Sequence, residues 1–413
     1  MIQQPIFTPR SDWTPPETLP DLSSAERIAV DLETKDPDLK LSGPGWATGN
    51  GHITGIAIAT DNWSGYLPIR HEGGGNLDVD FVLRWLNKTL SGRADKIFHN
   101  ALYDVGWLKR EGVTIQGKIH DTVIAAPLVD EHRRRYSLDS LGADYCDETK
   151  DETLLNDAAS AWGIDPKSEM YVLPAKYVGE YAEQDAVLTL KLWDVLQKKL
   201  IDENLQSIYE LESSLIPLLV EMRWKGVRVD ISKAEESVQT LRKQERDCIK
   251  QIKYKYGVDV DVWASASVAR AFDKAGLTYP RTQKTNAPSF TGKWLESLNH
   301  GLPKLIVEAR KYQKIRSAFI ENMVLEHAHK GRIHGQMHPL RGDSGGTVSG
   351  RFSYSTPNLQ QVPARDPVLG PLVRGLFLPE EEHSWGAFDY SQQEPRLTVH
   401  YAARMKLPGS EEA

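Results

Sequence analysis

From Arg27 to about Gln197, short apolar runs alternate with apolar positions spaced three and four apart, which predicts a mixed α/β region. Ile28, Ala29 and Val30 read as a buried strand that ends by delivering Asp31-Leu32-Glu33-Thr34. Gly55–Ala59 and Tyr66–Ile69 read as two strands joined by a turn at residues 61–65, and Lys96–Phe98 as a short third. Phe81, Leu83, Trp85 and Leu86 suit a helix, and a further helix is expected near residues 121–126. Asn100 is placed to cap a helix whose first turn carries Asp104. From about Glu203 to Lys330 the texture becomes long amphipathic helices, with Leu211, Leu215, Leu218, Leu219 and Met222 at helical spacing. The run Lys225-Gly226-Val227-Arg228-Val229-Asp230 breaks that pattern, and a charged helix, Lys233–Tyr256, follows. Beyond Gly331, Ile333–Met337 reads as a strand, ahead of polar loops at residues 347–353 and 357–363.

Composition narrows this picture. A chain of 413 residues suggests roughly two or three domains. Cys146 and Cys248 lie far apart, match no metal spacing and fit a reducing, cytosolic setting. No apolar run reaches membrane-spanning length. Pro5, Pro9, Pro15, Pro16 and Pro20 predict an extended leader over residues 1–23 rather than a signal peptide. The net charge of −7 excludes a wholly basic nucleic-acid binder, though not a local basic groove.

The candidate chemistry is carboxylate. Strand periodicity turns Asp31 and Glu33 to one side, where two like charges are unfavourable unless a cation sits between them. A single D-x-E is more often a solvated strand end, and an acid such as Asp104 in a first helical turn is favoured by the helix dipole alone. Tyr181 and Asp185, four apart on an expected helix, share one face. The cluster His132-Arg133-Arg134-Arg135-Tyr136 fits a solvated loop and a phosphate contact equally.

Taken together, Asp31, Glu33, Asp104 and Asp185, with Tyr181 four before the last, resemble the DEDD exonuclease fold in its tyrosine subtype. The resemblance covers roughly residues 24–200 and is to the proofreading domain of bacterial DNA polymerase I and its phage relatives. It implies an α/β, ribonuclease H-like domain (24–202) with a mixed sheet flanked by helices, acting as a 3'-5' exonuclease on a single-stranded DNA 3' end. It also implies two divalent ions, Mg²⁺ or Mn²⁺, about 3.5–4 Å apart. Asp31 would bridge both, Glu33 and Asp185 would help hold one, and Asp104 would support the second through water. Tyr181, with Glu33, would orient the attacking water, and Asn100 would contact the strand near its end.

The remainder resembles the start of a family A polymerase domain. Gly226-Val227-Arg228-Val229-Asp230 and Lys284–Ser289 look like its thumb (203–330), whose helix with Arg310, Lys311, Lys314 and Arg316 fits duplex DNA or solvent equally. Arg351, Asn358 and Gln360 look like its primer-template motif, and Trp385–Arg396 like its first palm motif, in an incomplete α+β palm (331–413). Asp389 would end a strand and hold catalytic Mg²⁺, and Glu394 would pack under the sugar and exclude a 2'-hydroxyl. No fingers helix and no second palm acid is seen before Ala413, and no further nuclease domain precedes the leader. Polymerisation with deoxynucleoside triphosphates is therefore expected only once the missing segments are supplied, with a second chain as one source of them. The setting implied is the cytoplasm of a bacterial or phage-infected cell. The rival readings are a free-standing trimming exonuclease of DNA or RNA with a helical binding module, and a non-enzymatic scaffold.

Overall fold

The computed structural model describes Pro5 and residues 8–343, 345–364, 366–367 and 369–410. Residues 1–4 and 6–7 of the expected leader lie outside the described residues. The chain divides into two compact units, Met1–Phe377 and Leu378–Ala413.

The first unit opens on a five-stranded sheet: β1 (Arg27–Lys35), β2 (His52–Ala59), β3 (Ser64–Pro68), β4 (Asp95–Phe98) and β5 (Ile119–Asp121). Their order is β3-β2-β1-β4-β5. The β1–β2 and β2–β3 pairs are antiparallel, and β1–β4 and β4–β5 are parallel, so the sheet is mixed as expected. The sequence dictates the direction of each pairing. Four residues join β2 to β3, enough for a hairpin, whereas the Val79–Leu90 and Ala101–Arg110 helices carry the chain across the sheet to β4 and β5. Ile28, Ala29 and Val30 in the first half of β1 are fully buried. The register shifts between Glu33 and Thr34, a bulge that opens the ladder just past the paired acids. The long Gly179–Asp202 helix packs on β1, β2 and β3. The leader lies along that helix: Trp13 Nε1 donates to Glu183 at 2.9 Å, and its indole fills the space where Gly179 has no side chain.

Of the expected stripe, Leu219 is buried and Leu215 half-buried, but Leu211, Leu218 and Met222 are 56, 54 and 45 % exposed. The pattern is broken at Leu215 into two helices, Gln206–Ser214 and Ile216–Lys225, which shifts the phase. Tyr209, Ile216 and Val220 face the core of the sheet region instead.

Two smaller cores follow. One gathers Ile252, Val268, Phe272, Phe290, Leu295 and Ile306 around the Ile231–Tyr256 and Gly301–Lys314 helices. The other joins Val238, Leu241, Ile320, Val324, Ile333 and Val373, and includes the π-helical stretch Ile315–Leu325. The strand expected over Ile333–Met337 is split. Arg332–Ile333 pairs with Val227–Val229, and Gln336–His338 pairs with Ser353–Ser355. The break has a cause: His334 is buried with Nδ1 bonded to the Arg223 carbonyl at 2.7 Å, and Gly335 lies against the Tyr354 ring.

In the second unit, the Gln393–Arg404 helix is preceded by an irregular extended segment. Asp389 lies in that segment and does not end a strand, because no neighbouring strand pairs with it among the described residues. Pro395 sits in the first turn of the helix, where its missing N–H has no partner to lose. Phe388 and Tyr390 are 98 and 81 % exposed.

Candidate metal centre

Three elements converge on one spot. β1 supplies Asp31 and Glu33, the Ala101–Arg110 helix supplies Asp104, and the Gly179–Asp202 helix supplies Tyr181 and Asp185 one turn apart. Carboxylate oxygens of Asp31, Glu33 and Asp185 all lie within 4.8 Å of one another. Asp104 is buried beside them, and Asp31 and Glu33 both act on its carboxyl.

Burial followed by the Asp185 charge pushes the Asp31 carboxyl up to about 7. Glu33 is driven well above the usual carboxylate range by burial, then by Asp31 and Asp185. Burial raises Asp104 and Asp185 as well, the latter against the opposing charge of Lys150. Without a counter-cation such a group of acids holds protons; with hard divalent cations it becomes a ligand set. The donors are all oxygen and converge from Asp31, Glu33 and Asp185 on one spot, so the residues present fit hard divalent ions.

The positions of these side chains depend on partners far away in the chain. Asn100 stands at the helix start in a left-handed conformation (φ 82°, ψ 57°), and its side chain does not cap, contrary to expectation. Asp121 caps in its place, accepting from the Asn100 and Ala101 backbone N–H groups at 2.9 and 2.8 Å. It also accepts from Val123 N at 2.8 Å, so one carboxylate starts both the helix bearing Asp104 and the Thr122–Val129 helix. The side chain of Asn100 is thereby left at the surface.

On the other flank, Tyr66 stands two strands from Asp31 through the register Asp31–Ala57–Tyr66. Its hydroxyl is 2.7 Å from His71 Nε2, and His71 Nδ1 is 3.0 Å from the Leu173 carbonyl. A carbonyl can only accept, so Nδ1 carries the proton and Nε2 accepts from Tyr66. Burial holds His71 down at about 4, in keeping with this neutral form.

Lys150 gives no signal in the sequence, where Asp147-Glu148-Thr149-Lys150-Asp151-Glu152 reads as a solvated charge run. In the fold its side chain is only 6 % exposed and its ammonium lies 2.8 Å from Asp185 Oδ1.

The other expected site residues lie elsewhere. Asn358 Oδ1 accepts from Gln360 N at 3.1 Å, and Gln360 Nε2 donates to the Phe352 carbonyl at 3.0 Å, so both brace their own loop. Arg351 is exposed on the same loop. Glu394 lies in the first turn of the Gln393–Arg404 helix and, like Asp389, is exposed. Of the basic helix, Arg310 donates to the Val262 and Phe290 carbonyls, Arg316 pairs with Glu245 and Glu321, and Lys311 with Asp366. These three cations brace the helical region. In the His132–Tyr136 cluster, Arg133 pairs with Asp144 and Tyr136 is buried, leaving Arg134 and Arg135 exposed.

A sheet and two helices that gather acids on one spot define a carboxylate-centred site. Residues 10–201 match the 3'-5' exonuclease family model, and residues 231–409 match the model of DNA polymerase family A. The two matches together place a 3'-5' exonuclease part before a part that matches DNA polymerase family A. It is 39 % identical over 425 residues to a DNA-directed DNA polymerase of Pseudomonas phage M6, an alignment covering 98 % of this chain and 63 % of the relative. It is 31 % identical to the DNA polymerase DpoZ of Acinetobacter phage SH-Ab 15497, covering 78 % of this chain and 55 % of that one. In fold it is similar to the POL domain of Pol1 from M. smegmatis, solved in complex with DNA primer-template and dNTP. The TM-score is 0.68 at 22 % identity, over 92 % of this chain and 60 % of that one. The chain thus spans less than two thirds of the length of these relatives. Among the described residues, no helix is long and apolar enough to cross a membrane.

Proposed function

We propose that residues 24–202 form a metal-dependent 3'-5' exonuclease that shortens single-stranded DNA ends in the cytoplasm of a bacterial or phage-infected cell. The observation that carries this reading is the approach of Asp31, Glu33 and Asp185 to within 4.8 Å, an arrangement of like charges that needs cations. Asp31, Glu33, Asp104 and Asp185 would hold two divalent ions. When bound, the ions supply a nucleophile at neutral pH and stabilise the charge on the leaving 3' oxygen. The protein's own part is placement. Tyr181 and Glu33 would orient the attacking water, Asn100 would receive the terminal nucleotides, and Asp121 would fix the start of the helix that carries Asp104.

The family A match over residues 231–409 favours a polymerase-linked proofreading role over a free-standing trimming nuclease. In that reading residues 203–330 form a thumb and residues 331–413 part of a palm. Arg351, Asn358 and Gln360 would meet the primer-template, Asp389 would hold Mg²⁺, and Glu394 would exclude a 2'-hydroxyl. Extension of a primer with deoxynucleoside triphosphates would belong to these residues together with the rest of a family A polymerase domain, on the same chain or on a second one.

The test is hydrolysis of a labelled single-stranded DNA with Mg²⁺ or Mn²⁺. Asp31→Ala removes one of the carboxylates that would hold the ions and should cut the rate by orders of magnitude. A wild-type rate in Asp31→Ala would sink the assignment.

A further inference from the structure

The ammonium of Lys150 is 2.8 Å from Asp185 Oδ1 and donates to Asp185 Oδ2 at 3.1 Å. It also donates to the Tyr181 hydroxyl oxygen at 3.2 Å and lies 3.1 Å from Asp139 Oδ1. Its Nζ stands 4.6 Å from the centre of the Tyr181 ring. Three N–H donors thus meet three acceptor groups, two of them at the carboxylate cluster. A protonated lysine has no lone pair, so the Tyr181 hydroxyl cannot point its hydrogen at Nζ. The contact therefore aims that hydrogen away from Lys150.

We propose that Lys150 is a positioning residue of the exonuclease site: it holds Asp185 and Tyr181 in one arrangement before any ion binds, and it fixes the Tyr181 hydroxyl as a donor away from Nζ. The proposal rests on the nuclease reading above. The energetic logic is specific to a cluster of this kind. A buried acid group without cations repels itself, and one internal ammonium offsets part of that repulsion. The same charge opposes a divalent ion, so it preorganises the ligands at some cost in metal affinity. Asp139, 45 % exposed at its side chain, anchors the ammonium from outside the cluster and keeps it from swinging into solvent.

The test uses the full 413-residue chain as wild type, Lys150→Met, Lys150→Arg and Asp139→Asn. Three quantities are read: the unfolding midpoint without metal and with Mn²⁺, Mn²⁺ affinity by calorimetry, and single-turnover hydrolysis of single-stranded DNA. Lys150→Met should lower the metal-free midpoint and widen the gain on adding Mn²⁺, with tighter Mn²⁺ affinity. Hydrolysis should fall about 10- to 100-fold, as expected when reacting groups lose alignment. Lys150→Arg should recover part of the rate. Asp139→Asn should shift every readout the same way by less, and it carries the test with Lys150→Arg if Lys150→Met does not fold. A purely structural role predicts weaker Mn²⁺ binding together with lower stability and no recovery in Lys150→Arg; that result overturns the proposal, as does a wild-type rate in Lys150→Met. If wild type itself does not hydrolyse DNA, the nuclease reading fails. The holding role is then decided by melting and calorimetry alone, and an unchanged metal-free midpoint in Lys150→Met overturns it.

Discussion

The Tyr66 hydroxyl occupies the space a β-carbon on Gly55 would need: that carbon would lie 2.1 Å from Oη and 2.2 Å from Cζ. Gly55 is also the cross-strand partner of Glu33. Tyr66 cannot retreat easily, because its hydroxyl is held by buried His71. Gly55→Ala should therefore destabilise the protein by about 1–3 kcal/mol, the usual cost of overpacking. Urea unfolding measures it. Combining Gly55→Ala with Tyr66→Leu should cost less than the sum of the single changes; additivity would show that the two residues do not compete for this space.

Asp121 serves two helix starts at once. Asp121→Ala strands three backbone N–H groups, two of them at the helix that carries Asp104. The expected loss is roughly 2–4 kcal/mol, from lost capping plus buried unpaired donors. Exonuclease turnover should drop too, although Asp121 is not in the carboxylate cluster. Asp121→Asn, which keeps one accepting oxygen, should fall between. Wild-type stability in Asp121→Ala, measured by denaturant titration, would refute the double-cap role.

Tyr181→Phe removes one hydroxyl and no charge, whereas Asp185→Ala removes a carboxylate from the cluster. Tyr181→Phe should slow hydrolysis by about 100-fold, the scale of one positioned proton-handling group. Its Mn²⁺ affinity should stay close to wild type. Asp185→Ala should be slower still and bind Mn²⁺ more weakly. Calorimetry showing weakened binding in Tyr181→Phe would contradict an orienting role for the hydroxyl.

His71 gives a pH dependence with a defined sign. Burial sets its folded value at about 4, below the usual 6.5, so the unfolded chain takes up the proton first. The stability present above pH 6.5 is lost as pH falls towards 4, by up to roughly 3 kcal/mol. His71→Gln does not titrate, so the unfolding free energy of wild type minus that of the variant should decline across this window. A difference that stays flat from pH 7 to 4 would mean His71 is not held neutral.

Local spacing alone determined the parts of this protein that depend on backbone period. A strand repeats every two residues, so Asp31 and Glu33 had to share a face once Ile28–Val30 was buried; a helix repeats every 3.6, so Tyr181 and Asp185 had to share another. The mixed sheet was implied by the family resemblance; in the fold a short link makes its hairpin and helical links make its parallel crossovers. Tertiary structure decided what no spacing encodes. Asp121 caps a helix that begins about twenty residues earlier, and Lys150 leaves an acidic run to meet Asp185. Tyr66 needs the gap at Gly55, and Leu211, Leu218 and Met222 face outward where the helix breaks at Leu215. Each of these outcomes is a choice of partner across the chain, made by burial and by the need to pair every buried polar group; periodicity constrains only which way a residue faces within its own element.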